Sequence, residues 1–268
     1  MVKRIVVIRG AGDMATGVAW RLYRAGIPFV MIELPKPTMV RRLVSFGEAV
    51  YNGTMKVEGV RARHVRLAEI DETIAAGEIP VVTEPYEKVL ATLQPEAIVD
   101  VILAKQNLGT SCSDAPITIG VGPGFSAPED VQAVVETQRG HQMGRVYYKG
   151  MANPDTGIPG DINGYTFERV LYAPVKGVFH ARAIIGDRVE IDEIVGYVDL
   201  IPIVAKIDGI LRGLLQDGLK VTEGFKLGDI DHRCKEAYCY MISDKACSIG
   251  GGVLEALLHL GWYRAGHL

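Results

Sequence analysis

A glycine-rich turn near the amino terminus contains the first residues whose types and spacing could do chemistry: Gly10, Ala11, Gly12, Asp13 and Met14. Glycine lets the backbone approach a ligand without a Cβ in the way, and the first turn of a following helix offers unpaired N–H groups to an anion. The turn therefore predicts a cofactor-binding site made largely of main-chain donors.

Glu33 adds a possible specificity element to this turn. It lies 33 − 12 = 21 residues after Gly12, at the end of the next apolar run. An acid at this distance can accept hydrogen bonds from a ribose hydroxyl and would repel a 2′-phosphate, so the pattern favours NAD over NADP. The alternative is a turn that is kept only for its backbone geometry.

Four more residues are candidates for the same binding site: Gly122, Gly124, Arg139 and His141. The two glycines follow a predicted strand, where a turn can line a pocket or simply be tight. Arg139 has forked donors suited to phosphate or carboxylate, and His141 could transfer a proton near neutral pH. Both could equally be cations at the end of a helix. No residue can be assigned a catalytic step.

The cysteines suggest little further chemistry. Cys112 could be a reactive thiol, although an inert cysteine is the favoured interpretation. Cys234, Cys239 and Cys247 are separated by 239 − 234 = 5 and 247 − 239 = 8 residues, which is not the close pairing of a structural zinc site. We expect no metal.

Alternating apolar runs and helical patterns must position these residues. The run at 5–8 is β-branched, the turn follows it, and an amphipathic stretch at 15–25 precedes a second apolar run at 29–32. Further strands are predicted at 62–67, 80–83, 98–103 and 116–121, and further helices at 69–76, 86–93 and 128–137. This order predicts an α/β fold, with a Rossmann-like doubly wound parallel sheet as the cofactor-binding domain over residues 1–160.

The second half contains an internal repeat. Pairs of identical residues recur at an offset of 32, which predicts two copies of one β unit; they are Gly177 and Gly209, Gly186 and Gly218, Val189 and Val221, and Gly196 and Gly228. Residues 161–232 resemble a biotinyl/lipoyl-like barrel-sandwich hybrid with a pseudo-twofold repeat. The link at 199–202 has no carrier lysine. Residues 233–268 are expected to form a glycine-rich turn and a helix that packs back on the fold.

Composition narrows the class of protein. The 268 residues carry a formal net charge of −3 and are 48% hydrophobic, as in ordinary globular proteins. No Lys/Arg-rich run provides a surface for nucleic acid. No apolar run is long enough to span a membrane, and the cysteines show no disulfide framework. A cytoplasmic protein with neither nucleic acid nor membrane as partner is expected.

Several segments together resemble one known group, the accessory proteins of the selenium-dependent molybdenum hydroxylase system. The segments are residues 7–17, 41–46, 122–125, 136–141 and 249–256. The Rossmann-like half is similar in kind to that of the xanthine dehydrogenase accessory factors. The resemblance implies a cytoplasmic role in maturing a molybdenum hydroxylase. Its implied cofactor is NAD or the molybdenum pterin cofactor, and its implied partner is the hydroxylase apoenzyme or another maturation factor.

Two other functions remain open from the residues. One is an NAD-dependent oxidoreductase with an appended β domain, in which His141 or His64 would transfer the proton. The other is a nucleotide-sensing scaffold without chemistry. The residues do not decide between a monomer and a homo-oligomer.

Overall fold

A computed structural model describes residues 4–263, which divide into two compact units. Unit 1 comprises residues 4–35, 46–155 and 242–263, and unit 2 comprises residues 36–45 and 156–241. The chain therefore leaves unit 1 twice and returns to it. The ends of the segments predicted as 1–160 and 233–268, residues 1–3 and 264–268, lie outside the described residues.

The regular elements are mostly short. The α-helices are α1 (Asp13–Arg24), α2 (Ala49–Asn52), α3 (Ile70–Ala75), α4 (Tyr86–Leu93) and α5 (Asp244–His259). The strands of unit 1 are β1 (Val6–Arg9), β2 (Phe29–Ile32), β3 (Thr54–Val57), β4 (Val60–His64), β5 (Ile79–Val82), β6 (Ala97–Asp100), β7 (Ile117–Val121), β8 (Ser126–Ala127), β9 (Ala133–Val135), β10 (Val146–Tyr147) and β11 (Gly150–Met151). The strands of unit 2 are β12 (Val170–Tyr172), β13 (Gly177–Ala181), β14 (Arg188–Val189), β15 (Ile194–Val198), β16 (Ile201–Val204), β17 (Gly209–Leu214), β18 (Lys220–Val221) and β19 (Lys226–Asp231).

Unit 1 is built on a nine-stranded mixed sheet in the order β10-β9-β7-β6-β1-β2-β5-β4-β3. The strands from β9 to β4 in this order are parallel, but both outer pairs are antiparallel. The predicted doubly wound parallel sheet is therefore wrong. Only Glu58 and Gly59, both with positive φ, connect β3 to β4. A two-residue connection can join antiparallel strands but not parallel ones.

The predicted helix at 128–137 is also wrong. The segment contains β9, which pairs in parallel with β7 and antiparallel with β10. Ala133, Val134 and Val135 are buried in it. A buried run of this kind fits a strand covered on both faces as well as it fits a helix, and the sheet decides between them.

The long helices α1 and α5 pack against each other in unit 1. A Cβ on Gly17 would lie 2.6 Å from the carbonyl oxygen of Ala246, and a Cβ on Gly250 would lie 2.7 Å from the carbonyl oxygen of Gly17. A Cβ on Gly250 would also lie 2.8 Å from Cγ of Arg21. The contact on α1 thus moves from Gly17 towards Arg21 as the contact on α5 moves from Ala246 to Gly250, so the helices run in the same direction. Their amino termini consequently lie at the same end of the pair.

Unit 2 contains two antiparallel sheets of four strands, in the orders β12-β19-β17-β14 and β16-β15-β13-β18. Adding 32 to the first residue of β13, Gly177, gives the first residue of β17, Gly209. Each strand of the first sheet has a counterpart 32 residues away in the second sheet, and the counterparts stand in the same order. A shared core fills the unit, with Phe179 and Leu211 fully buried. Two separate sheets replace the predicted barrel-sandwich hybrid.

A buried charge network crosses one sheet of unit 2. Asp229 and Asp231, which are 2% and 1% exposed, project from β19. Arg212 donates to both Asp229 oxygens at 2.7 and 2.9 Å and to Asp231 at 3.1 Å. Arg169 also pairs with Asp229, and Arg233 donates to both oxygens of Asp231. The two carboxylates therefore depend on three arginines for the solvation that they lose on folding.

This network predicts an acid-sensitive unit 2. Burial alone raises the pKa of the Asp229 carboxyl, but the charge and hydrogen bonds of Arg212 outweigh it and lower the pKa. Burial also raises the pKa of Asp231, but the hydrogen bonds of Arg233 and the charge of Arg212 outweigh it and lower the pKa. The stabilisation is present above the ordinary carboxyl pKa and disappears as the pH falls through the lowered folded value. The protection of β17 and β19 against hydrogen exchange, taken relative to the intrinsic exchange rate at each pH, should be retained down to about pH 4 and fall below it. Loss of protection near pH 6 would contradict this assignment.

No helix within residues 4–263 has both the length and the apolar character needed to cross a membrane.

Candidate functional site

The predicted site residues of unit 1 follow the carboxyl ends of several parallel strands. β1, β6, β7 and β9 run in parallel, so the segments that leave them emerge at one edge of the sheet. The glycine turn at 10–14 follows β1, and the loop at 101–114 follows β6. The turn at 122–125 follows β7, and the loop at 136–145 follows β9. Ligands commonly bind at such an edge.

The first two amides of the glycine turn are used inside the protein. Gly10 has φ +104° and donates its N–H to the carbonyl of Ile32 at 2.8 Å. Ala11 donates its N–H to Oε2 of Glu33 at 2.8 Å. A Cβ on Gly10 would lie 2.9 Å from the carbonyl oxygen of Val101, so the close approach here is to the protein's own backbone.

Glu33 accepts hydrogen bonds through both of its oxygens. In addition to Ala11, the N–H of Leu34 donates to Oε1 at 2.7 Å. Burial raises the pKa of this carboxyl, and the two backbone hydrogen bonds only partly counteract it. Glu33 thus fixes the turn to β2. Its predicted role in holding a ribose remains a prediction.

The next amides of the turn behave differently. Gly12 is the N-cap residue of α1, which has no side-chain cap. Within residues 4–263, the N–H groups of Gly12 and Met14 have no acceptor. Asp13 lies between them in the first turn of the helix, where a negative charge is favourable. The turn therefore keeps two main-chain donors without an acceptor among the described residues at the positive end of α1.

The second glycine turn packs against the loop that follows β6. Gly122 and Gly124 have φ values of +85° and +106°. A Cβ on Gly124 would lie 2.6 Å from Cα of Gln106, and one on Gly122 would lie 3.1 Å from Oγ1 of Thr137. These glycines are required by contacts between neighbouring loops, and their role in lining a pocket remains a prediction.

Arg139 and His141 lie in the loop after β9. The guanidinium of Arg139 donates to both oxygens of Asp244, at 2.9 and 3.2 Å, and so connects this loop to the first turn of α5. The side chain of His141 is exposed. The structure thus places Arg139 beside the start of α5, and leaves the predicted proton-transfer role of His141 as a prediction.

Lys245, the second residue of α5, was not selected from the sequence. It is half-buried, and its Nζ forms neither a hydrogen bond nor an ion pair with any residue that the structure describes. A cation in the first turn of a helix is opposed by the helix dipole. A lysine two residues after the N-cap Ser243 is therefore an unfavourable placement that could have marked Lys245 as a functional candidate. It was missed in the sequence because the helix was expected to begin after the glycines at 250–252.

The charges around Lys245 make its amine unusual. Burial, as the largest effect, and the positive charge of Arg139 lower the pKa of the Lys245 side chain. Three carboxylates act in the opposite direction without restoring the ordinary value; they are Asp13, Glu136 and Asp155. Lys245, Arg139 and the three carboxylates belong to four different segments of unit 1. The tertiary structure thus gathers them around one amine.

Glu136 was also missed as an organising residue. It is fully buried, and Oε1 accepts the N–H groups of Thr137 and Gln138, each at 2.7 Å. Oε2 accepts the N–H of Asn153 at 2.8 Å. One carboxylate therefore shapes the loop that carries Arg139. Its position after an apolar strand gave no indication of these backbone partners.

A side-chain cluster fills the gap between the ends of β1 and β6. The Arg9 guanidinium lies 3.9 Å from the centre of the Tyr86 ring and donates to Asp100 at 3.1 Å and to Thr110. The Tyr86 hydroxyl donates to Asp114 at 2.7 Å. Burial, together with Asp114, raises the pKa of Tyr86. These groups satisfy one another, which makes the cluster a rigid wall beside the glycine turn.

The cysteines are all unpaired. Cys112 is half-buried, and its thiol donates to the carbonyl of Pro128 at 3.3 Å, while Thr118 donates to its sulfur at 3.8 Å. Across residues 4–263, no group of three or more histidine, cysteine, aspartate or glutamate side chains is arranged to hold a metal ion.

Comparison with curated proteins finds a related sequence. The chain is 49% identical over 258 residues to a protein of Escherichia coli strain K12 described as uncharacterized protein YqeB. The match covers 96% of this chain and 48% of that protein, so the chain spans about half the length of its relative. No protein-family model matches the chain.

Similarity to solved structures is weak. An aspartoacylase family protein from Mesorhizobium loti is 12% identical with a TM-score of 0.29, covering 85% of this chain and 84% of that one. The ectoine utilization protein EutE (DoeB) from Ruegeria pomeroyi is 10% identical with a TM-score of 0.26, covering 85% of each chain. TM-scores this low do not support transferring a fold or an activity.

These findings correct the resemblance drawn from the sequence. The related sequence is described as uncharacterized, and the similar structures are described as aspartoacylase, desuccinylase and ectoine utilization proteins. None is described as a molybdenum hydroxylase accessory protein or as a Rossmann protein with a barrel-sandwich module. The predicted family, its maturation role and its selenium, molybdenum and NAD associations are therefore wrong. Shared glycine turns misled the assignment because many folds use them.

Proposed function

We propose that unit 1 binds a small anionic molecule at the carboxyl edge of its parallel strands, with Lys245 as the charged contact. The observation that supports this proposal is the isolation of the lysine. Its side chain is half-buried at the start of α5, and its Nζ has no partner among residues 4–263. The ligand class is a carboxylate or a phosphate.

An anion would remove two unfavourable features at once. Half-burying an ammonium group that has no ion-pair partner removes part of its hydration, and a cation at a helix amino terminus is opposed by the helix dipole. The unpaired N–H groups of Gly12 and Met14 lie at the start of α1, at the same end of the helix pair as Lys245. A negatively charged ligand would pair with the amine and accept from these amides.

Nearby acids do not exclude such a ligand, because they already have partners. Glu136 accepts three backbone N–H groups, and Asp155 forms an ion pair of 2.7 Å with Lys105. Asp244 is held by Arg139. Among the cations of this group, Lys105 and Arg139 form ion pairs, whereas Lys245 forms none within the described residues.

The residues predicted from the sequence contribute to this proposal in different ways. Gly12 and Met14 supply free main-chain donors, and Asp13 acts on the charge of Lys245. Gly10 and Ala11 shape the turn, since their N–H groups are used internally. The remaining predicted residues, Glu33, Gly122, Gly124, Arg139 and His141, are proposed to shape or border the site.

Anion titrations test the proposal. Orthophosphate, pyrophosphate, malonate and citrate should be titrated by calorimetry, and the melting temperature should be measured with sodium chloride at matched ionic strength. At least one anion is expected to bind and to raise the melting temperature beyond the salt control. Lys245→Met should weaken that binding at least about tenfold, which corresponds to about 1.4 kcal/mol.

Lys88→Met is the matched control. Lys88 is an exposed lysine of α4, so its replacement removes the same charge far from the proposed contact. It should leave the binding constant unchanged. The proposal is refuted if none of the four anions binds, or if Lys245→Met and Lys88→Met bind the anion equally well.

A cytoplasmic location is part of the proposal. The four cysteines are unpaired, and three of them, Cys112, Cys234 and Cys247, are half-buried or exposed. Accessible thiols of this kind persist in reducing compartments. Fractionation of cells that express the tagged protein would test this expectation.

A further inference from the structure

We propose that unit 1 has a second binding site, for a small aromatic carboxylate, at the amino-terminal edge of its parallel strands. An apolar cavity of about 180 Å³ lies where α1 and α3 end and where β2 and β5 begin. Glu78, which lines this cavity, connects it to a strip of cations on β3 and β4. The site is separate from the proposed anion site, because α1 begins at the opposite edge of the sheet and its 12 residues span roughly 18 Å.

The cavity has the size and lining to take a ring. Its wall contains two aromatic rings, Tyr23 and Phe29, and three isoleucines, Ile27, Ile74 and Ile79. Phe29, Ile27 and Ile79 are buried, whereas Tyr23 is 38% exposed and therefore lies at the opening. An apolar cavity of about 150 Å³ can hold a benzene molecule. A single aromatic ring would thus fit here and would contact the two rings of the wall.

The walls of the cavity are fixed by the turns that end the two helices. Gly26 and Gly77 both line it and have φ values of +71° and +74°. The N–H of Gly26 donates to the carbonyl of Tyr23 at 3.1 Å, and the N–H of Gly77 donates to the carbonyl of Ile74 at 2.9 Å. The Tyr23 hydroxyl donates to the carbonyl of Gly77 at 3.0 Å and so connects the two turns. A ligand would enter a site that is already formed.

The charges beside the cavity favour an anion. Oε2 of Glu78 lies 2.7 Å from Nε and 2.5 Å from Nη2 of Arg63, so this carboxylate already has a cation as its partner. Arg61 is 3.6 Å from Oε1 of Glu78, which is longer than a hydrogen bond, and 57% of its side chain is exposed. Lys56 pairs with Arg61 across the two strands and forms no ion pair among residues 4–263. Three cations therefore share one carboxylate.

A carboxylate attached to the ring would use this excess of positive charge. With the ring in the cavity, its anionic end would lie at the opening and pair with the forked donors of Arg61. A lysine on an edge strand such as β3 is also a common protection against pairing with another chain. Arg61 has no such role, because it lies on β4, which has strands on both sides. A second copy of the chain would bring the same cations together, so it is not the occupant.

Titration of the full-length protein with phenylacetate tests the proposal. Calorimetry should show saturable binding, and the affinity should exceed that of neutral phenylacetamide and of cationic 2-phenylethylamine. Arg61→Met should weaken phenylacetate binding about fivefold, because an ion pair at a partly exposed site contributes on this scale. Arg182→Met is the matched control, since Arg182 is an exposed arginine of unit 2. It should leave the affinity unchanged.

The position of the ring is tested separately. Tyr23→Phe keeps the aromatic wall and should retain binding, whereas Tyr23→Ala should weaken it at least about fivefold. Nuclear Overhauser effects between the phenylacetate ring protons and the methyl groups of Ile74 and Ile79 are expected in the unaltered protein, so this result does not depend on how a variant folds. Contacts to other methyl groups in place of these would overturn the proposal.

Lys245→Met distinguishes this site from the proposed anion site. It should leave phenylacetate binding unchanged, and Arg61→Met should leave unchanged the binding of the anion held at Lys245. Loss of phenylacetate binding in Lys245→Met would place the ligand at the other site and overturn the present proposal alone. The same conclusion follows if phenylacetate does not bind, or if phenylacetamide or 2-phenylethylamine binds as tightly. Phenylacetate binding that depends on Arg61, in a protein that binds none of the four anions, supports this site and refutes the other.

Discussion

Replacing Asp229 with asparagine is expected to destabilise unit 2 by about 3–5 kcal/mol. The carboxylate accepts two hydrogen bonds from Arg212 and pairs with Arg169, whose side chain is 9% exposed. Asparagine keeps the shape but removes the charge, so both guanidinium groups would remain buried with less compensation. Removing one partner from a buried ionic network destabilises the fold more than the absence of the whole network would, because the remaining charges stay desolvated without compensation.

Hydrogen exchange followed by mass spectrometry is the appropriate measurement, because both tryptophans, Trp20 and Trp262, lie in unit 1. Protection of β17 and β19 should fall in Asp229→Asn while that of β1 and β6 is retained. Asp192→Asn is the matched control. Asp192 is exposed and has φ +66°, a conformation that asparagine adopts readily, so its replacement should be neutral. Equal protection in the two variants would show that the network contributes little.

The largest contrast between neighbouring substitutions is expected in the three consecutive glycines of α5. Gly251 is exposed, and a Cβ there would meet nothing within 4 Å. A Cβ on Gly250 would lie 2.7 Å from the carbonyl oxygen of Gly17, and one on Gly252 would collide with the carbonyl oxygen of Gly144. Gly251→Ala should therefore stabilise unit 1 by about 0.5–1 kcal/mol, since alanine is the better helix former.

The flanking variants should have the opposite sign. Gly250→Ala and Gly252→Ala should each destabilise unit 1 by about 1–3 kcal/mol, because the backbone that they meet cannot rotate away as a side chain can. Urea unfolding followed by tryptophan fluorescence is suitable, since Trp20 lies on α1 and Trp262 follows α5. If all three variants were stabilising, α5 would have to lie further from both α1 and Gly144 than these contacts require.

The same glycines show where local sequence patterns stop being informative. The run was expected to precede a helix and could not be divided into packed and exposed members from the sequence. In the structure the helix begins earlier, at Asp244, and the run lies inside it. Successive helical residues point about 100° apart, so only the position of α1 and of the loop at 144 distinguishes Gly251 from its neighbours.

Other features could be predicted from the sequence because they depend on residues that are close together in it. The segment at 86–93 was predicted as a helix and forms α4 with the same bounds. The turn at 10–12 connects β1 to α1, and the offset of 32 residues reappears in the strands of unit 2. These features depend on residues that are close in sequence, or on a spacing that the chain itself repeats.

The sequence by itself determined the order of short strands and helices, the glycine turn, and the two copies of a β unit. Only the tertiary structure decided that the Glu33 carboxylate would be used by the Ala11 N–H, that β9 would be a strand, and that Lys245 would be left without a partner. The reason is physical: whether a donor or a charge is satisfied depends on groups brought together from distant parts of the chain, and no local pattern encodes their distances.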